Sequence, residues 1–305
     1  MNKQELKNKI IEAKKQTNTV ILAHTYQESD IIDVADITGD SFFLSKKAAE
    51  IKAERVVMCG VRFMAESVKI LSPETETILP VASATCPMAE QIAPERVRKF
   101  KEENPDAEVV AYINTTAALK AECDVCVTSS SAIKIVNKLD ADDILFIPDQ
   151  HLGSFVQKNL PDKNIILWDG YCPVHAQLTR DDVLKCKAEH PDAVFAVHPE
   201  SPKEVVELAD MVGATSEIIS YAKEQKGKVI IGTERGVVDY LAINEENGDR
   251  FIQLSPEKLC CEDMKKITLE DVYDAIIGEG GEKVELDEAL REKALKSINR
   301  MLELG

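Results

Sequence analysis

TVILAHTYQ, residues 19–27, is a run of Val, Ile, Leu and Ala that breaks into His, Thr, Tyr and Gln. The chain writes this phrase three times, again as EVVAYINTT (108–116) and AVFAVHPE (193–200). A short run of apolar, largely β-branched residues is how a strand covered on both faces reads. Polar residues at its C-terminal end mark where such a strand opens onto a ligand. Each run leads into a helix-like segment with an Asp and then a small hydroxyl cluster: DVADITGDSFFLSKKAAE (33–50), ECDVCVTSSSAIKIVNK (122–138) and ELADMVGATSEIISYAK (207–223).

The spacing is regular. His24, Tyr112 and His198 step by 88 and 86 residues, as do Asp36, Asp124 and Asp210, and Ser41, Ser129 and Thr215. Further strands follow in each unit: RVVMCG (55–60), DILFIP (143–148) and KVIIGT (228–233), then ETILP (76–80), NIILW (164–168) and RFIQL (250–254). Beyond them lie Cys86, Cys172 and the pair Cys260–Cys261; Cys86 to Cys172 to Cys261 steps by 86 and 89. Strands alternating with helices imply parallel sheets flanked by helices. The expected fold is therefore three homologous doubly wound α/β/α domains, related by pseudo-threefold symmetry around a central cavity. The units are 1–84, 85–170 and 171–262, with 263–283 as a connecting segment. The stretch 284–305 reads as an amphipathic helix and is expected against the first unit.

With 305 residues, 44% of them hydrophobic, three small cores are within reach. No apolar run is long enough to cross a membrane. The opening MNKQELKNKIIEAKKQ is polar and amphipathic, without a signal peptide's apolar stretch, so a cytoplasmic protein is expected. Eight cysteines then read as thiols, metal ligands or redox groups. A net charge of −17 argues against nucleic-acid binding, and an anionic substrate would need a local positive field.

One cysteine per unit, brought to one axis, gives three thiolates at three corners. They suit an iron–sulfur cluster with one open iron, or zinc with a water. The plain alternative is three packing cysteines. Recurrence, and the proline after Cys86 and Cys172, favour ligation, because proline fixes the chain after the ligand. Cys123 and Cys126 form a single C-x-x-C without a partner pair, a weak redox or zinc signal for which packing is the favoured reading. Cys59 and Cys186 read as packing residues.

The hydroxyl clusters GDS (39–41), TSSS (128–131) and ATS (214–216) are helix N-caps in the plain reading. Converging N-termini would also bind anions. His24, Tyr26, Tyr112, Asn114, His198 and Glu200 end the three opening strands and offer acids and bases. His175, three after Cys172, reads either as a donor beside the metal or as a first-turn helix residue. His151 and His190 read as surface loop residues.

With these residues in place the chain resembles the quinolinate synthase family. The motifs are AHTYQ (23–27), GDS (39–41), GVRFMAES (60–67), ATCPMA (84–89), AYINTT (111–116), VTSS (127–130), PDQHLG (148–153), GYCPVH (170–175), VHPE (197–200), GTE (232–234) and CEDMKK (261–266). The resemblance implies three α/β domains around a 4Fe-4S cluster. It implies condensation of iminoaspartate with dihydroxyacetone phosphate to quinolinate in de novo NAD biosynthesis, with loss of phosphate and water. The ligands it implies are Cys86, Cys172 and Cys261, the last because C-x-x-M-K fits Cys261 and not Cys260. Glu200, His198, Tyr26 and Tyr112 become the catalytic residues, with Glu200 the principal base. His24, Ser41, Asn114, Ser129 and Thr215 become the substrate-binding residues. A transient contact with L-aspartate oxidase, which makes iminoaspartate, is also implied.

The chain departs from the family in three places. Glu262 stands where proline is usual. Ala214 stands where serine is frequent, so a hydroxyl is missing there or replaced by a backbone N–H. No C-x-x-C-x-x-C segment lies near the C-terminus. Two rivals share the open-iron reading: a hydro-lyase acting on a small hydroxy acid, and a cluster-based sensor. The acidic composition gives a sensor no basic surface for nucleic acid.

Overall fold

The structure is a computed structural model and describes residues 2–305. Its strands form three sheets, each drawn mainly from one consecutive stretch. The first holds β1 (Thr19–His24), β2 (Ile37–Gly39), β3 (Arg55–Cys59) and β4 (Glu76–Leu79). The second holds β5 (Glu108–Tyr112), β6 (Val125–Val127), β7 (Asp143–Ile147) and β8 (Asn164–Leu167). The third holds β9 (Val194–Val197), β10 (Met211–Val212), β11 (Val229–Gly232) and β12 (Phe251–Gln253). The orders are β4-β3-β1-β2, β6-β5-β7-β8 and β10-β9-β11-β12, so each sheet has its first strand between its second and third. All these pairings are parallel. A short β13 (Glu282–Lys283) adds to β4 antiparallel.

Period-two alternation sorts each strand's residues onto two faces. In the first sheet Ile21, Ala23, Val57, Cys59 and Ile78 face helices Lys3–Gln16 and Leu269–Ile277, through Leu6, Ile10, Val272 and Ile276. Leu22, Val56, Met58 and Leu79 face the other way, toward helices Ser41–Glu50 and Arg62–Leu71. The third sheet repeats the sandwich, Phe195 and Ile230 on one side and Ala196, Val229 and Ile231 on the other. Helices thus cover both faces, as near-continuous apolar strands require.

The recurring aspartates have one structural role. Asp36, Asp124 and Asp210 each precede the short second strand and accept from a first-strand amide: Ile21 at 2.8 Å, Val109 at 2.8 Å and Phe195 at 2.7 Å. Each also pairs with a lysine, Lys14 at 2.8 Å, Lys101 at 2.7 Å and Lys187 at 3.4 Å. Those lysines step by 87 and 86 residues, a recurrence the landmark spacing above did not use.

Two expectations need correction. The segments read as helix-like each begin with a short strand, β2, β6 or β10, before the helix starts. Strands of two or three residues carry too little alternation to show as a pattern. The C-terminal helix, Glu288–Leu304, packs mainly on the second unit and not the first. Ser297 Oγ donates to Lys120 O at 3.0 Å and meets Cys126 Sγ at 3.4 Å, and Arg300 pairs with Glu108. Its link to the first unit runs through Arg291, which donates to Ile70 O at 3.1 Å. The segment 263–283 does more than connect: it supplies helix Leu269–Ile277 and β13 to the first sheet's layers. Among the described residues no helix is long and apolar enough to cross a membrane.

Candidate active site

The C-terminal ends of β1, β5 and β9 meet on one cavity of about 350 Å³. Parallel α/β sheets place ligands at these ends, where loops leave the strands and backbone groups are free. The last residues His24 and Tyr112, with His198 just past β9, stand in one position of three units. Two residues further on stand Tyr26, Asn114 and Glu200. All six line the cavity, together with Ser41, Ser129, Thr215, Cys86, Cys172 and Cys261. The fold therefore brings together every residue singled out for the site.

Each of these cysteines opens a tight turn. Cys86 precedes the one-turn helix Pro87–Glu90, Cys172 lies just before His175–Gln177, and Cys261 just before Asp263–Lys265. In each turn backbone N–H groups point back at the thiol: Ala89 and Met88 at Cys86, His175 at Cys172, Met264 and Asp263 at Cys261. Cys260 also lines the cavity, but Cys261 is the thiol that matches the other two. Glu262, where the resemblance implies proline, has a φ of −57°, one that proline would adopt.

Burial pushes the Cys86 and Cys261 thiols each up to about 12 and raises Cys172 well above the ordinary thiol range. They also oppose one another's ionisation: Cys261 raises Cys86, and Cys86 raises Cys172. None is in a disulfide. Three free, half-buried thiols, with Cys86 opposed in ionisation by Cys261 and Cys172 by Cys86, are a poor set of anions alone and a good set around a cationic centre. The donor set therefore fits a metal group.

Facing the thiols is a buried polar network with Glu200 at its hub. His175 Nδ1 lies 2.8 Å from Glu200 Oε2 and 3.3 Å from Cys172 Sγ. Tyr112 also hydrogen-bonds Glu200. His175 Nε2 meets Thr233 Oγ1 at 2.9 Å, Thr233 meets Tyr26 Oη at 3.0 Å, and Tyr26 meets Thr215 Oγ1 at 2.9 Å. Burial would raise Glu200, but the His198 ring, charged only in acid, and the His175 and Tyr112 hydrogen bonds outweigh it and hold the carboxyl below its ordinary range. Burial instead lowers His24 and His198 to about 4, so both rings are neutral at pH 7. His198 Nδ1 accepts from the Glu200 N–H at 3.4 Å, which leaves Nε2 to donate to Ser129 Oγ at 3.2 Å. His24 Nδ1 accepts from Tyr26 N–H at 3.1 Å. Tyr26 and Tyr112 are held protonated, chiefly by burial and then by the Glu200 charge.

The anion-binding elements are less uniform than the spacing suggests. Ser41 and Thr215 are the first residues of ten-residue helices that face the cavity. Ser129 lies instead in a turn before the five-residue helix Ala132–Val136. The Ala214 N–H does not replace the missing hydroxyl, because Glu217 Oε2 accepts it at 2.7 Å. The only lysine on the lining, Lys258, is paired with Asp182 at 2.6 Å. Asn114 Oδ1 is buried without a partner. A buried acceptor of this kind calls for a donor, which a bound ligand can bring.

His175 fits both of its readings, since it is the first residue of the turn His175–Gln177 and its Nδ1 lies beside the Cys172 thiol. His151 lies in the first turn of helix Gln150–Asn159, half-buried, and His190 caps helix Arg180–Glu189. Cys59, Cys123 and Cys126 are buried in packing positions, Cys59 and Cys126 within strands, and Cys186 lies in a helix. Thr233, Asp149, Glu234 and Lys265 were not singled out by spacing, although all four fall inside quoted motifs. Lys265 Nζ reaches Tyr26 O at 2.5 Å and Glu234 Oε1 at 3.4 Å, tying the Cys261 turn to the first strand end.

Fold and site together define an α/β protein with three pseudo-equivalent sheets converging on a three-thiol, multi-histidine centre. A family model described as quinolinate synthetase A protein matches residues 8–303. Proteins named quinolinate synthase match along their length. That of Alkaliphilus metalliredigens is 47% identical over 305 residues, covering all of both chains. That of Caldicellulosiruptor saccharolyticus is 46% identical over 306, again covering both. That of Aquifex aeolicus is 45% identical over 306, covering 99% of this chain and 94% of its own. The chain belongs to the quinolinate synthetase A family.

Proposed function

We propose that the chain is a transferase that condenses iminoaspartate with dihydroxyacetone phosphate to quinolinate, releasing phosphate and water. Cys86, Cys172 and Cys261 would hold a 4Fe-4S cluster. Such a cluster on three thiolates supplies a Lewis acid at its unligated iron, suited to polarising hydroxyl and carbonyl oxygens. The observation that carries the reading is the pairing of three like cysteine turns with a buried Glu200, held at 2.8 Å by His175 Nδ1, on one cavity.

The substrates bring two carboxylates and a phosphate into a strongly acidic protein. With Lys258 committed, Ser41 and Thr215 at their helix N-termini, with the Ser129 turn, take the anionic groups. Asn114 Oδ1 receives a donor from substrate. His24 and His198, being neutral, offer a ring N–H without adding charge. Condensation, phosphate loss and ring closure need several proton transfers. Glu200 takes protons as the base, and Tyr112 beside it is a donor. Protons reach or leave Tyr26 through His175 and Thr233, whose hydrogen bonds run unbroken from Glu200.

The test is anaerobic purification with iron and sulfide analysis, then assay of quinolinate and phosphate from the two substrates. Cys86→Ala, Cys172→Ala and Cys261→Ala are expected to lose both cluster and product. A colourless, iron-free protein with full turnover overturns the reading. Turnover of a hydroxy acid without phosphate release would favour a hydro-lyase.

A further inference from the structure

Three residues share one topological position, the second past the third strand of each sheet: Val61 after β3, Asp149 after β7 and Glu234 after β11. Asp149 and Glu234 are fully buried carboxylates. A buried carboxylate persists only where donors meet its oxygens. Asp149 Oδ1 accepts from Leu152 N–H at 2.7 Å and Oδ2 from Cys172 N–H at 2.9 Å. Glu234 Oε2 accepts from Gly236 N–H at 2.7 Å and Oε1 from Cys261 N–H at 3.3 Å. Each carboxylate thus bridges the first turn of a scaffold helix and the backbone of one cysteine. Two symmetry-related positions make the same contact with different side chains, so it is not a chance of local packing.

The first unit is built otherwise. Val61 has no acceptor to offer Cys86. The neighbouring Arg62 holds the loop before it, donating its N–H to Ala84 O at 2.9 Å and its guanidinium to Ala82 O at 3.0 Å. That grip ends two residues short of the thiol.

We propose that Asp149 and Glu234 are positioning residues that anchor the Cys172 and Cys261 backbones for cluster binding, leaving Cys86 as the one corner without a side-chain anchor. The inference rests on the three-cysteine reading above. It also explains why Cys261 serves and Cys260 does not, since the Glu234 carboxylate takes the Cys261 N–H. Fixing the ligand backbone before metal arrives lowers the ordering that binding must supply, and losing such outer partners typically weakens metal affinity about 10–100-fold.

The variants are Asp149→Asn and Glu234→Gln. A carboxamide keeps the shape but must turn its NH₂ toward one of the two N–H donors, so one bond is lost. Cluster release to a chelator is followed anaerobically by the visible absorbance, with circular dichroism to verify folding. Each variant is expected to release its cluster about tenfold faster than wild type. Asp210→Asn, the same change in a carboxylate–backbone contact away from the cavity, is expected to release at the wild-type rate. Should a carboxamide variant fail to fold, Asp149→Glu and Glu234→Asp keep the charge, displace the oxygen, and carry the same expectation. Independently, Cys260→Ala is expected to retain full iron and Cys261→Ala to lose it. Folded variants releasing within twofold of wild type, or cluster lost in Cys260→Ala and kept in Cys261→Ala, overturn the anchoring. A wild-type protein that takes up no iron overturns the cluster itself.

Discussion

The contacts before the short second strands and the residues at the cavity follow different rules. Before them, Asp36, Asp124 and Asp210 make the same contact with a first-strand amide and a lysine in all three units. At the cavity, equivalent positions carry different chemistry: Tyr26, Asn114 and Glu200 in one set, Val61, Asp149 and Glu234 in another. Repetition maintains the scaffold, whereas divergence distributes acid, base, acceptor and anchor around one centre. The cysteines are the exception, alike in all three units at the cavity, as a shared threefold ligand would require.

Breaking the divergent side should cost catalysis. Glu200→Gln is expected to lower turnover by about 10²–10⁴-fold with iron content and thermal unfolding unchanged; wild-type turnover in that variant would refute the base role. Thr233→Val removes one hydroxyl from the path between His175 and Tyr26. It is expected to lower kcat about tenfold, roughly the worth of one hydrogen bond. An unaltered kcat would mean that protons travel elsewhere.

Breaking the repeated side should cost stability instead. Asp36→Asn, Asp124→Asn and Asp210→Asn are each expected to lose about 1–3 kcal/mol in denaturant unfolding, with turnover at 25 °C kept. Costs that differ widely among the three would show that the units are not mechanically equivalent. A further effect is in pH. His24 and His198 have folded-state pKa values lowered from 6.5 to about 4. The unfolded chain then binds more protons between those values, so stability is full above about pH 6.5 and falls toward pH 4. Substituting His198 by Asn should flatten that slope.

Recurrence made much of this legible. The opening strands, the cysteine positions and the three strand ends stood out because the sequence repeats them. What recurrence cannot show is a position whose chemistry changes from unit to unit. Val61, Asp149 and Glu234 share a place but no residue type, and Thr233 belongs to one unit only. Strands β2, β6 and β10 were hidden because two or three residues between an Asp and a hydroxyl cluster carry no period. The amphipathic pattern of 284–305 revealed an apolar face without saying whose core it covers. That choice depends on partners such as Lys120 O and Cys126, more than 150 residues away in the chain.

The distance has a consequence during synthesis. Strand β6 lies at the margin of the second sheet, and helix Glu288–Leu304 packs against it. A ribosome adding about 5–20 residues per second needs roughly 8–30 seconds to travel from Val127 to Glu288. Through that interval the nascent middle unit lacks its final cover, and unprotected strand margins invite pairing with other chains. The unfinished polypeptide is therefore more exposed to aggregation than the completed chain.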